Sequence, residues 1–201
     1  LPKGATLIAT SVISPFMVPL KILLMSAFLL ALPFVLWQLW AFIAPGLYSH
    51  EKKLVLPLVV SSTVLFFIGV AFCYFFVFGQ VFSFIQGFAP KSITAAPDIE
   101  AYLSFVLTMF MAFGLSFEVP IAVVVLARMN IVSVEKLKNF RGYFIVIAFV
   151  IAAVVTPPDV VSQLALAIPM CLLYEVGIWA AQIFIKHTKA PEDTEEAASS
   201  S

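Results

Sequence analysis

The sequence predicts an all-α protein of the polytopic helical membrane class, with five transmembrane helices. Its 201 residues are 63% hydrophobic and only 11% charged. A water-soluble domain of this length could not bury so much apolar surface. The apolar residues are gathered into five segments, which are separated by stretches containing Pro, Gly or clustered charges. Because a helix needs about 20 apolar residues to cross the hydrocarbon core, these segments predict membrane spans.

The first two predicted helices cover residues 16–43 and 54–79. Pro15 suits the first turn of a helix. Trp37 and Trp40 lie near the end of the first helix. Aromatic residues at this position typically anchor a span at the membrane interface. Pro45 and Gly46 end the first helix, and residues 50–53 form a charge cluster before the second helix begins. This stretch therefore predicts a loop outside the bilayer.

The third predicted helix covers residues 101–127 and carries an acidic residue, Glu118, near its middle. An ionised carboxylate costs several kcal/mol in hydrocarbon, about 2.5–3.5 on insertion scales. Pro120 cannot donate a hydrogen bond to the carbonyl of Ser116, so a polar backbone group is freed within one turn. We therefore expect Glu118 to face protein or a wet cavity. It is either a neutral, hydrogen-bonded core acid or a group that takes part in docking or transport.

The last two predicted helices, residues 143–155 and 160–185, form a short hairpin. Thirteen residues rise only about 20 Å, which is less than the hydrocarbon thickness of about 30 Å. Thr156, Asp159 and Gln163 form a polar strip at its tip. Such a strip could receive another membrane helix, because polar side chains hydrogen-bond between helices in a bilayer.

Basic residues predict the orientation of the membrane domain, residues 1–186. The loops on one side hold eight of the eleven Lys and Arg residues. These are Lys52, Lys53, Arg128, Lys136, Lys138, Arg141, Lys186 and Lys189. The loops on the other side hold Lys3 and Lys91. The positive-inside rule therefore places the first side, with the C-terminus, in the cytoplasm. Residues 187–201 are polar and acidic, and they predict a disordered cytoplasmic tail.

Residue types that support catalysis or metal binding are sparse. Cys73 and Cys171 lie within apolar runs, and the two His residues are isolated, so no metal-ligand spacing is present. We therefore expect no enzyme activity, no metal, no cofactor and no nucleic-acid partner. A proton-coupled secondary transporter with Glu118 as proton carrier remains an alternative. It would require a second ionisable partner within the membrane, and the sequence offers only Glu175, nearer the interface.

Glu51 lies in the first loop on the basic side, next to Lys52 and Lys53. The simpler interpretation is a solvated loop charge paired with its neighbours. Phe42 and Tyr48 provide an aromatic setting, however. A guanidinium group both pairs with carboxylates and stacks on rings, so this setting favours recognition of an arginine-containing peptide.

Three separated stretches resemble the TatC family of the twin-arginine translocase. They are WAFIAPGLYSHEKK (40–53), SFEVP (116–120) and TPPDVVSQLALAIPM (156–170). The resemblance extends from residue 1 to about Lys186. The family has six transmembrane helices with both termini in the cytoplasm, and this sequence resembles helices two to six. We therefore expect a fragment that lacks the first helix and the cytoplasmic segment before it.

The resemblance implies a receptor for twin-arginine signal peptides in the bacterial inner membrane. It also implies export of folded proteins with the single-span subunits TatA and TatB, driven by the proton-motive force. Further implied partners are membrane lipid and other copies of the chain, through self-association in a larger complex. The implied signal-recognition positions are Phe42, Pro45, Leu47, Tyr48 and Glu51. The implied intramembrane or partner-contact positions are Glu118, Thr156, Pro157, Asp159 and Gln163. Of these, Glu51 is the expected reader of arginine and Glu118 an interior docking point.

Overall fold

The computed structural model describes residues 8–43, 55–88, 98–156 and 159–188. Its helices are α1 (Ser14–Ile43), α2 (Val55–Phe72), a π-helical turn (Cys73–Val77), α3 (Phe78–Phe88), α4 (Ile99–Ser116), α5 (Val119–Arg128), α6 (Val134–Asn139), α7 (Arg141–Val155) and α8 (Val160–Thr188). No strand occurs in the described ranges, where only an isolated bridge joins Ile8 and Asp98. The predicted all-α class is confirmed.

Four helical segments in the described ranges are long and apolar enough to cross a membrane. They are Ser14–Ile43, Leu56–Phe84, Ile99–Arg128 and Val160–Ile183. The apolar helix α7 is shorter, with 15 residues, or about 22 Å at 1.5 Å per residue. The chain is a multi-pass membrane protein. We call the end of the bundle that carries Ile43, Val55 and Arg128 the α6 end, and the other the α4 end.

The second span is longer than the sequence predicted. Its helix continues through the π-helical turn to Phe88, past the predicted end at residue 79. The extension buries Val81 completely. It also packs the Phe82 ring against Tyr102 and Phe105 of α4. Gly79 and Gln80 thus lie within a helix. Packing of this segment on α4 stabilises the helix more than the low helix propensity of Gly79 destabilises it.

The predicted helix 101–127 is divided in two. A turn at Phe117 and Glu118 separates α4 from α5, and the N–H of Glu118 bonds to the Leu115 carbonyl at 3.1 Å. Pro120 lies in the first turn of α5, where its missing N–H costs no intrahelical bond. The predicted span is present as Ile99–Arg128, and within it the proline accounts for the interruption of the regular helix at the position of the acid.

Both predicted helices of the hairpin, residues 143–155 and 160–185, are present, but only the first of them is short. Helix α7 is short, but α8 has 29 residues. Pro169 lies inside α8 without ending it. Of the predicted tail, residues 187 and 188 belong to α8, and residues 189–201 lie outside the described ranges.

At the α4 end, polar side chains join α1 to the start of α4. Lys21 forms an ion pair with Glu100 at 2.9 Å and also donates to Ser104 at 2.8 Å. Ser14 donates to the other oxygen of Glu100 at 2.9 Å, and Thr10 donates to Asp98. Lys21 therefore links α1 to α4 through two polar side chains.

Candidate intramembrane site

Glu118 lies at the turn between α4 and α5, ten residues before Arg128 at the end of the span. Ten helical residues rise about 15 Å, which is half of a hydrocarbon core of about 30 Å. The carboxylate is therefore well inside the span, about 15 Å along the helix from its α6 end. Both of its oxygen atoms are buried, and neither accepts a hydrogen bond from the described residues. Burial without a partner is costly for a carboxylate, so this position has unused hydrogen-bonding capacity.

One polar side chain from another helix, Ser62, approaches Glu118, and it is in turn bonded to Trp40. Ser62 of α2 is completely buried and interacts with the carboxylate, although their contact falls short of hydrogen-bond geometry. The Ser62 oxygen accepts a hydrogen bond from the indole N–H of Trp40 at 3.0 Å. This bond leaves the Ser62 hydroxyl proton available for another acceptor. We call Trp40, Ser62 and Glu118 the polar triad.

The apolar packing around the polar triad is tight. Leu36 of α1, Phe66 of α2 and Ile121 of α5 belong to one buried cluster with Trp40. A Cβ atom placed on Gly114 would lie only 2.5 Å from the Phe66 ring. Glycine at this position thus lets α2 and α4 approach closely beside the acid.

Sequence reasoning missed two members of the triad. Trp40 was predicted to be an interfacial anchor, but it is only 5% exposed, whereas Trp37 is 49% exposed. Ser62 was not singled out. The signal was available in part, because Ser61, Ser62 and Thr63 form a polar cluster within an apolar helix.

The described residues predicted at the hairpin tip form hydrogen bonds within the hairpin, to groups of α7 and α8. The Thr156 hydroxyl donates to the Ala152 carbonyl at 2.8 Å, and the Gln163 amide donates to the Phe149 carbonyl at 3.3 Å. One oxygen of Asp159 accepts from the N–H of Ser162 at 2.7 Å. The other Asp159 oxygen and the Ser162 hydroxyl are buried without a described partner. Pro157 lies outside the described residues.

The residues predicted to recognise a signal peptide are mostly beyond the described ranges. Phe42, the residue before the last one of α1, is 84% exposed. Pro45, Leu47, Tyr48 and Glu51 lie outside the described residues.

Glu175, the second intramembrane acid, is engaged near the α6 end. Its carboxylate pairs with Arg141 at 2.7 Å, and both side chains are 47% exposed. Because Glu175 is already paired with Arg141 and is partly exposed, it does not act as the second ionisable group that a proton carrier at Glu118 would need.

The sequence model for "Sec-independent protein translocase protein (TatC)" matches residues 2–169. The chain belongs to the TatC family. It is 54% identical over 186 residues to the TatC protein of Halothiobacillus neapolitanus, covering 92% of this chain and 51% of that relative. It is 50% identical to the TatC protein of Haemophilus influenzae over 98% of this chain and 75% of that relative. For the Escherichia coli K12 protein, the identity is 51%, over 92% of this chain and 72% of that relative.

The fold of this chain is also similar to that of solved TatC structures. A crystal structure described as the twin arginine translocase receptor TatC has 41% sequence identity and a TM-score of 0.80, with 90% of this chain and 80% of that chain covered. A second TatC structure, in DDM, has 42% identity and a TM-score of 0.79, with 88% and 79% covered. The chain thus spans about half the length of the H. neapolitanus relative and about three quarters of the other two relatives.

Proposed function

We propose that this chain acts as the receptor subunit of a twin-arginine protein translocase in the bacterial inner membrane. It binds twin-arginine signal peptides and, with the single-span subunits TatA and TatB, exports folded proteins using the proton-motive force. The observation that carries this proposal is the TatC family match across residues 2–169. The eight basic residues on one side favour a cytoplasmic α6 end and C-terminus.

Within this function, the polar triad serves as an interior docking point. The Glu118 carboxylate is buried well inside the span and has no hydrogen-bond partner among the described residues. A donor side chain on an inserted signal peptide or partner helix would satisfy it. Such a contact forms readily in hydrocarbon, where water does not compete for the acceptor.

The overall function is tested by genetic replacement. Cells whose only TatC gene is the full-length gene that encodes this chain should export a folded reporter with a twin-arginine signal. A matched reporter with two lysines in place of the arginines serves as the control, because lysine cannot pair with a carboxylate in the bidentate manner of arginine. Equal export of both reporters, or export of neither, would contradict the proposal.

The role of Glu51 is tested by charge reversal. We expect Glu51→Lys in the full-length protein to abolish crosslinking to a twin-arginine signal peptide, because the pairing charge becomes repulsive. Glu135→Lys is the matched control, since Glu135 is an exposed carboxylate on α6. It should crosslink normally. Normal crosslinking of Glu51→Lys would remove the recognition role.

The role of Glu118 is tested by paired substitutions. We expect Glu118→Gln to keep export, because an amide still hydrogen-bonds at this position. Glu118→Ala should impair assembly or export, because it removes every polar atom of the side chain. An assembled but inactive Gln variant would instead favour the proton-carrier alternative, which needs an ionisable group.

A further inference from the structure

The three consecutive hydroxyl residues of α2 differ in the partners of their side chains. Ser61 donates to the Leu58 carbonyl at 2.9 Å, and Thr63 donates to the Val59 carbonyl at 2.8 Å. Such bonds to the preceding turn are common for hydroxyl side chains within a helix. Within the described part of the chain, the side chain of Ser62 instead accepts a bond from another helix and donates none to its own. Its hydroxyl proton is therefore available for an acceptor outside α2.

The direction of the hydrogen bond between Trp40 and Ser62 follows from the chemistry of the indole group. An indole N–H can only donate, so the Ser62 oxygen must accept the bond, which is 3.0 Å long. Both residues are buried. Because Trp40 already occupies one acceptor position of the Ser62 oxygen, the hydroxyl proton is directed to a different neighbour. The polar side chain that lies beside Ser62 there is Glu118.

The backbone that carries Glu118 is held from two sides. Its N–H donates to the Leu115 carbonyl at 3.1 Å, and its carbonyl accepts from the Ala122 N–H at 3.0 Å. Gly177 of α8 lies so close to the turn that a Cβ atom there would be 2.9 Å from the Pro120 Cα atom. The turn therefore has little room to move. The direction of the carboxyl group depends on the side-chain torsions of Glu118 and on the groups that bond to it.

We propose that Ser62 is a positioning residue for Glu118. Trp40 holds the Ser62 oxygen, the Ser62 hydroxyl donates to one oxygen of the carboxyl group, and the second oxygen is left for a donor on an inserted polypeptide segment. Rotation of the Glu118 side chain completes the bond from Ser62, because the two groups are already adjacent. A carboxyl group accepts hydrogen bonds in both protonation states, so this arrangement does not depend on the charge of Glu118. The incoming donor rests on the proposed export function, whereas the bonds among Trp40, Ser62 and Glu118 do not.

The first bond is tested by NMR of the indole groups. The chain has three Trp residues, so the purified full chain with isotopically labelled Trp gives three indole N–H signals in detergent. Trp40→Phe identifies the signal of Trp40. Trp37 and Trp179 serve as internal controls, because their side chains are exposed. Ser62→Ala should move the Trp40 proton signal to lower frequency, since a hydrogen bond is lost, and should leave the other two signals unchanged.

The second bond is tested with variants of Glu118 in the same spectra. Hydrogen bonds in a chain polarise one another, so Glu118→Ala should shift the Trp40 signal in the same direction as Ser62→Ala, but less. Glu118→Gln keeps an acceptor oxygen and should shift the signal very little. In the Ser62→Ala background, Glu118→Ala should cause no further shift. An unmoved Trp40 signal in Glu118→Ala would overturn the proposal, and so would an equal shift in the background that lacks Ser62.

The consequence for function is tested by export of a folded twin-arginine reporter from cells with the full-length gene. Loss of one hydrogen bond of ordinary net strength corresponds to roughly a two- to tenfold change, so Ser62→Ala should lower export by about this factor. Ser62→Thr keeps a hydroxyl group and should export more than Ser62→Ala. Ser61→Ala is the matched control, because Ser61 is exposed and bonds only within α2, and it should export normally.

The two assays separate the failure of this inference from the failure of the proposed function. Export by Ser62→Ala equal to that of the parent would overturn the positioning role. No better export from a folded Ser62→Thr variant would do the same. If the parent itself does not export the reporter, the proposed function fails, and the indole signals still decide whether Ser62 connects Trp40 to Glu118.

Discussion

The close approach of α2 and α4 beside Glu118 depends on Gly114. A methyl group at this position would lie 2.5 Å from two atoms of the Phe66 ring, whereas ordinary contacts are 3.4–4 Å. The ring would have to move by about 1 Å, but Phe66 is completely buried, and protein interiors are close-packed. We therefore expect Gly114→Ala to destabilise the protein.

The expected size follows from two opposing effects. Overpacking a core costs about 1–3 kcal/mol. Alanine is more favourable than glycine in a helix by about 1 kcal/mol, which offsets part of that cost. The net loss relative to the parent should be about 0–2 kcal/mol. For a chain of 150–250 residues, 1 kcal/mol corresponds to about 2–4 °C, so the melting temperature should fall by up to about 8 °C.

The measurement is thermal unfolding of the purified protein in one detergent. Gly79→Ala is the matched control, because Gly79 is also helical and a Cβ atom there would meet nothing within 4 Å. It should be as stable as the parent or slightly more stable. If Gly114→Ala unfolds at the same temperature as Gly79→Ala, the packing described around Phe66 is wrong.

A double variant checks the cause. Phe66→Leu removes the ring atoms that the new methyl group would contact. We expect Gly114→Ala to lower the free energy of unfolding less in the Phe66→Leu background than in the parent, because the effects of substitutions at contacting residues are not additive. Strictly additive costs would show that the two positions do not touch.

Two other predictions concern polar contacts. Tyr174→Phe removes the hydrogen bond to the Leu137 carbonyl and should lower the free energy of unfolding by about 1 kcal/mol, whereas Tyr143→Phe, at an exposed ring, should have no effect; equal losses would contradict this role. The Thr10 hydroxyl and the Glu100 N–H hold the pKa of Asp98 below its usual value. Its stabilising contribution is therefore complete above the unfolded pKa of about 3.9 and is lost as pH falls through the lower folded pKa. Melting temperatures from about pH 6 to pH 3 should fall less steeply for Asp98→Asn than for the parent, and identical slopes would refute the assignment.

The membrane class and most of the helices could be predicted from the sequence, because in a bilayer they depend on local properties. Apolar length decides which segments span, since backbone groups in hydrocarbon must be satisfied within the segment. The family could also be predicted from the sequence, because each of its three motifs is a continuous stretch of residues. Prediction failed at residue 79, where the apolar run was expected to end. The helix continues there because Val81 and Phe82 pack against other helices.

Contacts between distant residues were decided only by the tertiary structure. The sequence marked Glu118 as unusual but did not indicate that Ser62 lies beside it or that Trp40 donates to Ser62, because these side chains come from separate parts of the chain. Lys21 and Glu100 are 79 residues apart, and their pairing depends on how α1 packs against α4. Hydropathy thus determined what enters the membrane, whereas the close packing of helices determined which polar groups meet there, because side-chain partners depend on distances that no local pattern encodes.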